Sequence, residues 1–235
     1  MPEAPLPAAA APPRPPAPER VAHRGAWATL EPLAAGHAEA LWPLARAAPE
    51  SWAWLPHGPF PAAAAFRGYL RFAAMSGGEL LWAVRPHGAD GQPGPAAGWL
   101  ALLDVRPADA AIELGNVWFP PGLSRTRAAT EAAFLLLDHA FALGYRRVAW
   151  KCDARNAASR RAAERLGFSL DGVLRAHMVV RGQRRDERGQ RDQHRHHDRS
   201  PFQHAHHGAV SALVRFQVLV AGHVACSRIK VMAGP

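Results

Sequence analysis

The chain has 235 residues, of which 49% are hydrophobic, and it carries a formal net charge of +9. This length and apolar content are enough for one domain of medium size with a packed core. Its two cysteines provide neither a disulfide framework nor a zinc-ligand spacing, and the chain has neither an apolar secretion signal nor a run of about 18 apolar residues. We therefore expect a cytoplasmic protein without a membrane partner.

The positive charge is concentrated near the C-terminus. Residues 184–235 contain nine Lys and Arg against four Asp and Glu, a net charge of +5 within the total of +9. Residues 184–208 are dominated by Arg, His, Asp and Gln and cannot bury enough apolar surface to fold alone. We predict a basic His/Arg-rich tail over 184–235. Its histidines imply no fixed ligand geometry, so no metal site is predicted.

The N-terminal half predicts an arm, a strand and two helices. Residues 1–22 form a Pro/Ala-rich segment of low complexity that we expect to be disordered. A segment in which apolar and polar residues alternate is followed by two segments with apolar residues at helical spacing. A loop over 49–61 separates these two helical segments. The predicted elements are a strand at 26–30 and helices at 37–47 and 62–75.

The following part of the chain alternates strands with helices, which indicates a mixed α/β sheet. Turn residues at 106–109 separate two apolar runs and predict an antiparallel hairpin. Glycines at 144 and 167 are expected to end two helices. The predicted strands are 80–84, 97–105, 111–119, 147–152 and 168–180, and the predicted helices are 125–143 and 156–166.

The segment from Ser124 to Glu131 predicts an anion-binding site. It follows an extended apolar run and a Pro-Pro-Gly turn, and it opens the helix expected to end at Gly144. The first N–H groups of a helix lack intrahelical partners, and the helix dipole favours negative charge there. Arg125 and Arg127 add guanidinium groups suited to phosphate. A diphosphate-containing acyl carrier is therefore the first ligand to consider.

Residues 25–183 resemble the GNAT superfamily of acetyl-CoA-dependent N-acetyltransferases, and in particular the branch that acetylates the N-terminal alanine of ribosomal proteins. Each matching segment is weak alone, but their order and spacing are typical of the family. The matching segments are Ile112–Phe119, Ser124–Glu131, Leu143–Tyr145, Lys151–Asp153, Asn156–Phe168 and Gly172–Arg175.

The resemblance implies a GNAT fold over 23–183, with a mixed, mostly antiparallel twisted sheet flanked by helices. It implies acetyl-CoA as co-substrate, with the acyl arm lying between two splayed strands and the diphosphate on the long helix. The chain departs from the family loop pattern because Ser124, Arg127 and Ala129 occupy the Gln/Arg, first Gly and final Gly/Ala positions. The implied cofactor-binding residues are Val117, Trp118, Phe119, Ser124, Arg125, Thr126, Arg127, Ala128, Ala129, Thr130 and Asn156.

Two residues are candidates for the acetyl-transfer chemistry, which needs a neutral amine and a protonated leaving thiolate. Glu113, on the strand that runs into the cleft, is the candidate base; the alternative is a solvent-facing carboxylate. Ser159 is the candidate acid or hydrogen-bond donor to the thiol; the alternative is a residue that supports helix capping. Backbone N–H groups of Val117–Phe119 are candidates for polarising the thioester carbonyl.

The resemblance implies direct transfer of the acetyl group to a primary amine, either a protein N-terminal α-amine or a small molecule, by a bacterial monomer or homodimer. Trp52, Trp54 and Phe60 lie where relatives shape the acceptor pocket, and the core is the alternative place for them. A competing hypothesis is a non-catalytic GNAT-like scaffold whose basic tail binds nucleic acid or another partner. The lack of a known RNA-binding module disfavours nucleic acid.

The C-terminus departs most from the resemblance. The family closes its sheet with an aromatic-rich strand soon after the position of Arg184, whereas this chain has Asp186–Arg191 there. We hypothesise that the tail is out of register with its ancestor, as after a frameshift or an altered gene end. Translating the other frames of the source gene tests this, since no aromatic-rich strand in any frame would contradict it. The sequence leaves open whether the last strand is present; if it is absent, residues 209–221 are the candidate replacement edge strand.

Overall fold

The computed structural model describes residues 13–193, which contain an eight-stranded sheet. The spatial order of its strands is β1-β2-β3-β4-β5-β6-β8-β7, and β5 and β6 form its parallel pair. The strands are β1 (His23–Arg24), β2 (Ala28–Pro32), β3 (Glu79–Pro86), β4 (Gly98–Arg106), β5 (Ala111–Trp118), β6 (Arg147–Asp153), β7 (Ser169–Val180) and β8 (Gln183–Gln193).

Four α-helices cover the two faces of the sheet. The helices α1 (Ala38–Ala47) and α2 (Ala63–Met75) pack on one face, and α3 (Arg127–Ala142) and α4 (Ala157–Arg165) pack on the other. Each face has its own apolar cluster, because successive side chains of a strand point to opposite sides. On β5, for example, Leu114 belongs to the α3 and α4 face, whereas Trp118 belongs to the α1 and α2 face.

Residues 13–22 of the arm predicted to be disordered belong to the described part and contact the domain. The Arg20 guanidinium donates to the backbone carbonyls of Ala74, Ser76 and Glu79 and so closes the C-terminal end of α2. Tyr145 also donates its hydroxyl proton to the Pro16 carbonyl at 3.1 Å. The proline-rich composition suggested disorder, but these anchors are backbone carbonyls that composition does not reveal. Residues 1–12 lie outside the described part.

The closing strand, whose presence the sequence left open, is β8. It pairs with β6 on one side and β7 on the other, so the sheet continues beyond residue 183 to Gln193. Its backbone is paired on both sides, and its buried Glu187 carboxylate accepts from Arg185 at 2.6 Å. A polar strand thus forms by backbone pairing and internal charge pairing. Residues 194–235, including 209–221, lie outside the described part.

The edge of the sheet formed by β8 and β7 has unpaired polar atoms and exposed apolar side chains. Arg185 Nε, Arg188 Nε and Gln190 Oε1 are buried without a hydrogen-bond partner among the described residues. Each such atom costs free energy of folding. On β7, five apolar side chains are exposed: Leu170, Val173, Leu174, Met178 and Val179.

A histidine pair fixes the N-terminal segment against α3 and predicts a pH-dependent stability. The rings of His23 and His139 lie 4.6 Å apart, and burial together with the charge of His139 lowers the pKa of His23 to about 4. Both are neutral in the folded state near pH 7, whereas they gain protons in the unfolded chain below its pKa of about 6.5. Stability therefore falls as pH decreases from about 6.5 to about 4.

Urea unfolding at pH 7.5 and pH 5 measures this effect, and we expect a loss of about 1–2 kcal/mol at the lower pH after allowance for partial exposure. The variant His23→Gln should lose less stability between the two pH values than the unmodified chain. His57 also has its pKa lowered to about 4 by burial and Arg181, so part of the dependence should persist. An identical pH dependence in the variant would contradict the assignment to His23.

Candidate active site

The strands β5 and β6 stop pairing near the middle of the sheet. Their parallel register covers Ala111–Glu113 against Arg147–Ala149. Beyond it, β5 continues to Trp118 beside β4, and β6 continues to Asp153 beside β8. The facing backbone edges of both strands are therefore left without a strand partner. A linear ligand with amide groups can bind in such a gap.

The N-terminus of α3 retains two unpaired donors. Thr126 is the N-cap, and its Oγ1 accepts from Ala129 N at 3.1 Å, while Thr130 N donates to the Thr126 carbonyl. Among the described residues, the N–H groups of Arg127 and Ala128 have no partner. The helix dipole adds to their affinity for an anion. These donors fit a phosphate group, whereas the N–H groups of Ala129 and Thr130 are already used.

The two arginines of this loop differ in their surroundings. Arg125 is exposed and has a φ of 65°, a left-handed conformation that is costly for a residue with a side chain. The Arg127 guanidinium lies 4.8 Å from the centre of the Trp27 ring. Arg127 thus contacts the N-terminal segment, and Arg125 is the freer cation. Ser124 is exposed, and its N–H donates to the Pro120 carbonyl.

Asn156 and Ser159 lie at the start of α4, on the α3 and α4 side. Asn156 is the N-cap, and its Oδ1 accepts from Ser159 N at 3.0 Å. The Ser159 hydroxyl accepts from the indole N–H of Trp150 at 3.0 Å and contacts the Cys152 thiol. Since its oxygen accepts from Trp150, its proton is directed to the Cys152 sulfur, a weak acceptor that a thiolate ligand can replace. Burial raises the pKa of Cys152, which therefore stays a thiol.

Glu113 lies on the other face of the sheet and is buried. Its carboxylate lies over Gly115, where a Cβ would come within 3.2 Å of Oε1. Lys151 Nζ contacts its Oε2 at 2.7 Å. Burial raises the pKa of Glu113, against the opposing effect of Lys151. A buried carboxylate with a raised pKa is a suitable proton acceptor near neutral pH, so the alternative of a solvent-facing carboxylate does not hold.

Lys151 also contacts a second carboxylate that sequence reasoning missed. Its Nζ lies 3.5 Å from Asp104 Oδ2, and Asp104 lies equally far from Arg106. Asp104 has a φ of 47° within an irregular part of the β4 to β5 register. No motif in the sequence marks this irregularity. Lys151 itself belongs to a matching segment, but its partner depends on the parallel register.

The aromatic residues of the 49–61 loop divide between core and surface. Trp52 is fully buried and stacks on Trp118 with ring centres 4.6 Å apart. Phe60 packs edge-on against Trp52. Trp54 is 41% exposed and lines a cavity of about 190 Å³ with Arg155. Core and acceptor pocket were both left open by the sequence; Trp52 lies in the core, and a role in the acceptor pocket stays a prediction.

Two candidate residues contact the part of β6 beyond its pairing with β5, Glu113 through Lys151 and Ser159 through Trp150 and Cys152. Glu113 approaches from the α1 and α2 face, and Ser159 approaches from the α3 and α4 face. Val117, Trp118 and Phe119 lie at the end of β5, beyond its pairing with β6. Such a site can receive a nucleophile on one side and a leaving group on the other. Residues 13–193 contain no cluster of metal-ligand side chains and no helix long and apolar enough to cross a membrane.

Comparison with known proteins identifies the family of the chain. The family described as "Acetyltransferase (GNAT) domain" matches residues 28–169. A probable GNAT acetyltransferase from Chromobacterium violaceum is 40% identical, with a TM-score of 0.72 over 82% of this chain and 96% of that one. A GCN5-related N-acetyltransferase from Brucella melitensis is 39% identical, with a TM-score of 0.72 over 77% and 81%. No curated protein matches the chain.

More distant structures share the fold. The self-immunity acetyltransferase MccE, solved with acetyl-CoA and AMP, is 19% identical with a TM-score of 0.63 over 71% of this chain and 92% of that one. The Salmonella typhimurium enzyme that modifies the N-terminal serine of ribosomal protein L7/L12 is 19% identical with a TM-score of 0.60 over 71% and 95%.

The family match and the acetyl-CoA complex of a protein with this fold support acetyl-CoA as the co-substrate. The sheet with its splayed central strands agrees with the fold that the sequence predicted, apart from the N-terminal arm and β8. The chain belongs to the GNAT acetyltransferase family and is an acyltransferase.

Proposed function

We propose that this protein transfers the acetyl group of acetyl-CoA directly to a primary amine, either a protein N-terminal α-amine or a small-molecule amine. The observation that carries the proposal is the placement of Glu113 and Ser159 on opposite faces of the gap between β5 and β6. A group transfer between two substrates needs a proton acceptor at the nucleophile and a donor at the leaving group. No acyl-enzyme is required.

The candidate residues have separate roles in the proposed reaction. Acetyl-CoA supplies the thioester, whose C–S bond breaks as the amine nitrogen forms the new C–N bond. Glu113 accepts the proton that the nitrogen loses, and the Ser159 hydroxyl serves the departing thiolate as a hydrogen-bond donor or acid. The backbone N–H groups of Val117–Phe119 bind the acyl arm and the developing oxyanion. Asn156 holds the first turn of α4 and contacts the arm.

The α3 N-terminus is the proposed diphosphate site. Its free donors, the N–H groups of Arg127 and Ala128, face the end of the helix. Arg125 supplies an exposed positive charge beside them. The structural neighbours at 19% identity include enzymes with different acceptors. They support the donor side of the proposal and leave the acceptor as either amine class.

Thermal unfolding with and without acetyl-CoA tests the donor site. A ligand present at about 100 times its Kd stabilises the folded state by about 2.7 kcal/mol, so we expect a rise in Tm of about 5 to 10 °C. Acetyl-pantetheine lacks the diphosphate and should produce a smaller shift at the same concentration. Equal shifts for the two donors would contradict the diphosphate site at α3.

The acceptor side is tested by thiol release with a panel of primary amines and short peptides. The product should carry one acetyl group on its amine, as measured by mass spectrometry. A protein that binds acetyl-CoA with the expected Tm shift but releases no thiol with any amine would contradict the proposed acceptor chemistry.

A further inference from the structure

A cavity lined by residues of α2, β3 and β4 has no role in the steps described so far. Its volume is about 440 Å³, which is within the range of small-ligand sites. Asp104 lines it, and Asp104 contacts Lys151, the partner of Glu113. We call it the α2 chamber. Its walls include His57, Tyr69, Phe72, Glu79, Leu103 and Asp104.

Glu79 is the carboxylate of the α2 chamber that lacks a cationic partner. Its carboxylate accepts from Asn116 Nδ2 and forms no ion pair within residues 13–193. Arg20 donates to the Glu79 backbone carbonyl rather than to the side chain. Asp104, in contrast, lies 3.5 Å from both Arg106 and Lys151. Glu79 therefore has free acceptor positions for a positively charged group.

Asn116 orients the Glu79 carboxylate and does not line the chamber. Its Nδ2 donates to Glu79, and its side chain also interacts with the Tyr69 hydroxyl. Its Oδ1 is buried without a geometrically defined donor among the described residues. An ammonium group in the chamber therefore meets Glu79, which lines the wall and can accept from one or more of the three ammonium donors.

The aromatic walls favour a cation over a neutral group. The rings of His57 and Tyr69 stack with centres 4.4 Å apart, and the Tyr69 hydroxyl lies 3.1 Å from His57 Nε2. His57 is neutral near pH 7, because burial and Arg181 lower its pKa to about 4. It therefore does not compete for Glu79. Aromatic faces beside a carboxylate bind ammonium groups well.

The spacing of the two carboxylates fits a molecule with two amines. Glu79 pairs with Leu103 across β3 and β4, and Leu103 pairs with Glu113 across β4 and β5. The three residues form one row on the α1 and α2 face, so Glu79 and Glu113 lie two strand spacings apart, about 10 Å between Cα atoms. Leu103 provides an apolar floor between them. A short alkyl chain with an amine at each end matches this pattern.

We propose that the acceptor is a small aliphatic diamine whose second amine, as an ammonium, binds Glu79 while the first is acetylated beside Glu113. This inference rests on the proposed acetyl transfer. The new C–N bond forms on the first amine, the thioester C–S bond breaks, and the released proton passes through Glu113. The second ammonium keeps its protons. Glu79 is thus a specificity-determining residue rather than a participant in the chemistry.

Steady-state thiol release with the full-length protein tests the proposal. Putrescine and cadaverine are compared with n-butylamine and n-pentylamine, which have the same alkyl chains and one amine fewer. We expect kcat/KM for the diamines to exceed that for the monoamines by about 10- to 100-fold, as for other buried charged hydrogen bonds. The variant Glu79→Gln should remove most of this preference, because it lowers kcat/KM for the diamines much more than for the monoamines. Glu39→Gln, at an exposed position of α1, is the matched control and should retain the preference.

Equal kcat/KM for diamines and monoamines would overturn the diamine inference while leaving amine acetylation in place. The same conclusion follows if peptides with a free N-terminus are preferred over every diamine. A Glu79→Gln variant that keeps the full diamine preference would exclude Glu79 as its source. Absence of thiol release with all amines would contradict the proposed function itself, which is a separate outcome.

Discussion

Replacing Glu113 with glutamine is expected to lower kcat/KM for amine acetylation by roughly 100-fold or more, the usual contribution of a positioned general base. The substitution preserves shape and removes the proton acceptor. Acetyl-CoA binding should be retained, because α3 and α4 are untouched. Thiol-release kinetics and the Tm shift with acetyl-CoA measure the two effects separately. A variant with unchanged kcat/KM would exclude Glu113 as the base.

The pH dependence separates a chemical role of Glu113 from a structural one. Activity requires the ionised carboxylate, so kcat/KM should rise with pH through the raised pKa of Glu113 and then reach a plateau set by the amine. Lys151 opposes the effect of burial on this pKa. In Lys151→Gln the pKa of Glu113 should increase further, and the rising limb should move to higher pH. The control Glu39→Gln should leave the limb in place.

Most helices and strands were predictable because their apolar residues repeat at helix or strand spacing. For β5 the prediction of 111–119 compares with Ala111–Trp118, and for α3 the prediction of 125–143 compares with Arg127–Ala142. The α3 boundaries also have local signals. Thr126 caps the start, and Gly144 follows the end with a φ of 98°. Local chemistry therefore determines these elements.

The strand β8 could not be predicted in the same way. It lacks alternating apolar residues, and its position depends on backbone groups of β6 and β7 that the chain brings together only when folded. The ordered N-terminal segment is a similar case. Arg20 binds carbonyls more than 50 residues away in sequence, and no pattern marks such contacts.

Part of the candidate site could be predicted from the sequence. Motif order pointed to Glu113, Asn156 and Ser159, which the structure places at the end of the β5 and β6 pairing and at the start of α4, and their roles stay predictions. The Glu113–Lys151 contact follows from a parallel register that becomes definite only when the strands are aligned. Glu79 is a different case, since a single carboxylate at the start of a strand carries no signal. The role proposed for Glu79 rests on its place in the cross-strand row with Leu103 and Glu113 and on the absence of a cationic partner within residues 13–193.

Replacing Glu131 with alanine is expected to destabilise the folded protein by about 3–5 kcal/mol, a large part of the stability of an ordinary domain. Glu131 is buried on α3, and its carboxylate accepts from the backbone N–H groups of Ala26, Trp27 and Ala28 at 2.6 to 2.8 Å. These hydrogen bonds join α3 to the turn before β2. Gly25 passes so close that a Cβ there would lie 2.3 Å from the carboxylate.

The loss is large because the substitution leaves three N–H groups without an acceptor in a partly buried turn. Glutamine at this position keeps one carbonyl oxygen, so Glu131→Gln should lose roughly half as much. Urea unfolding at pH 7.5 gives both values from the midpoint and slope. The control Asp138→Ala removes an exposed carboxylate from the same helix and should change stability by less than about 0.5 kcal/mol.

Hydrogen exchange distinguishes the proposed cause from a general loss of packing. If Glu131 holds the turn, exchange in Glu131→Gln should accelerate first at Ala26, Trp27 and Ala28, before the amides of β4 and β5. The N-terminal segment would then open as a local unit, since Arg127 would also lose its contact with Trp27. Uniform acceleration across the sheet, or a destabilisation no larger than that of Asp138→Ala, would contradict this account of the carboxylate.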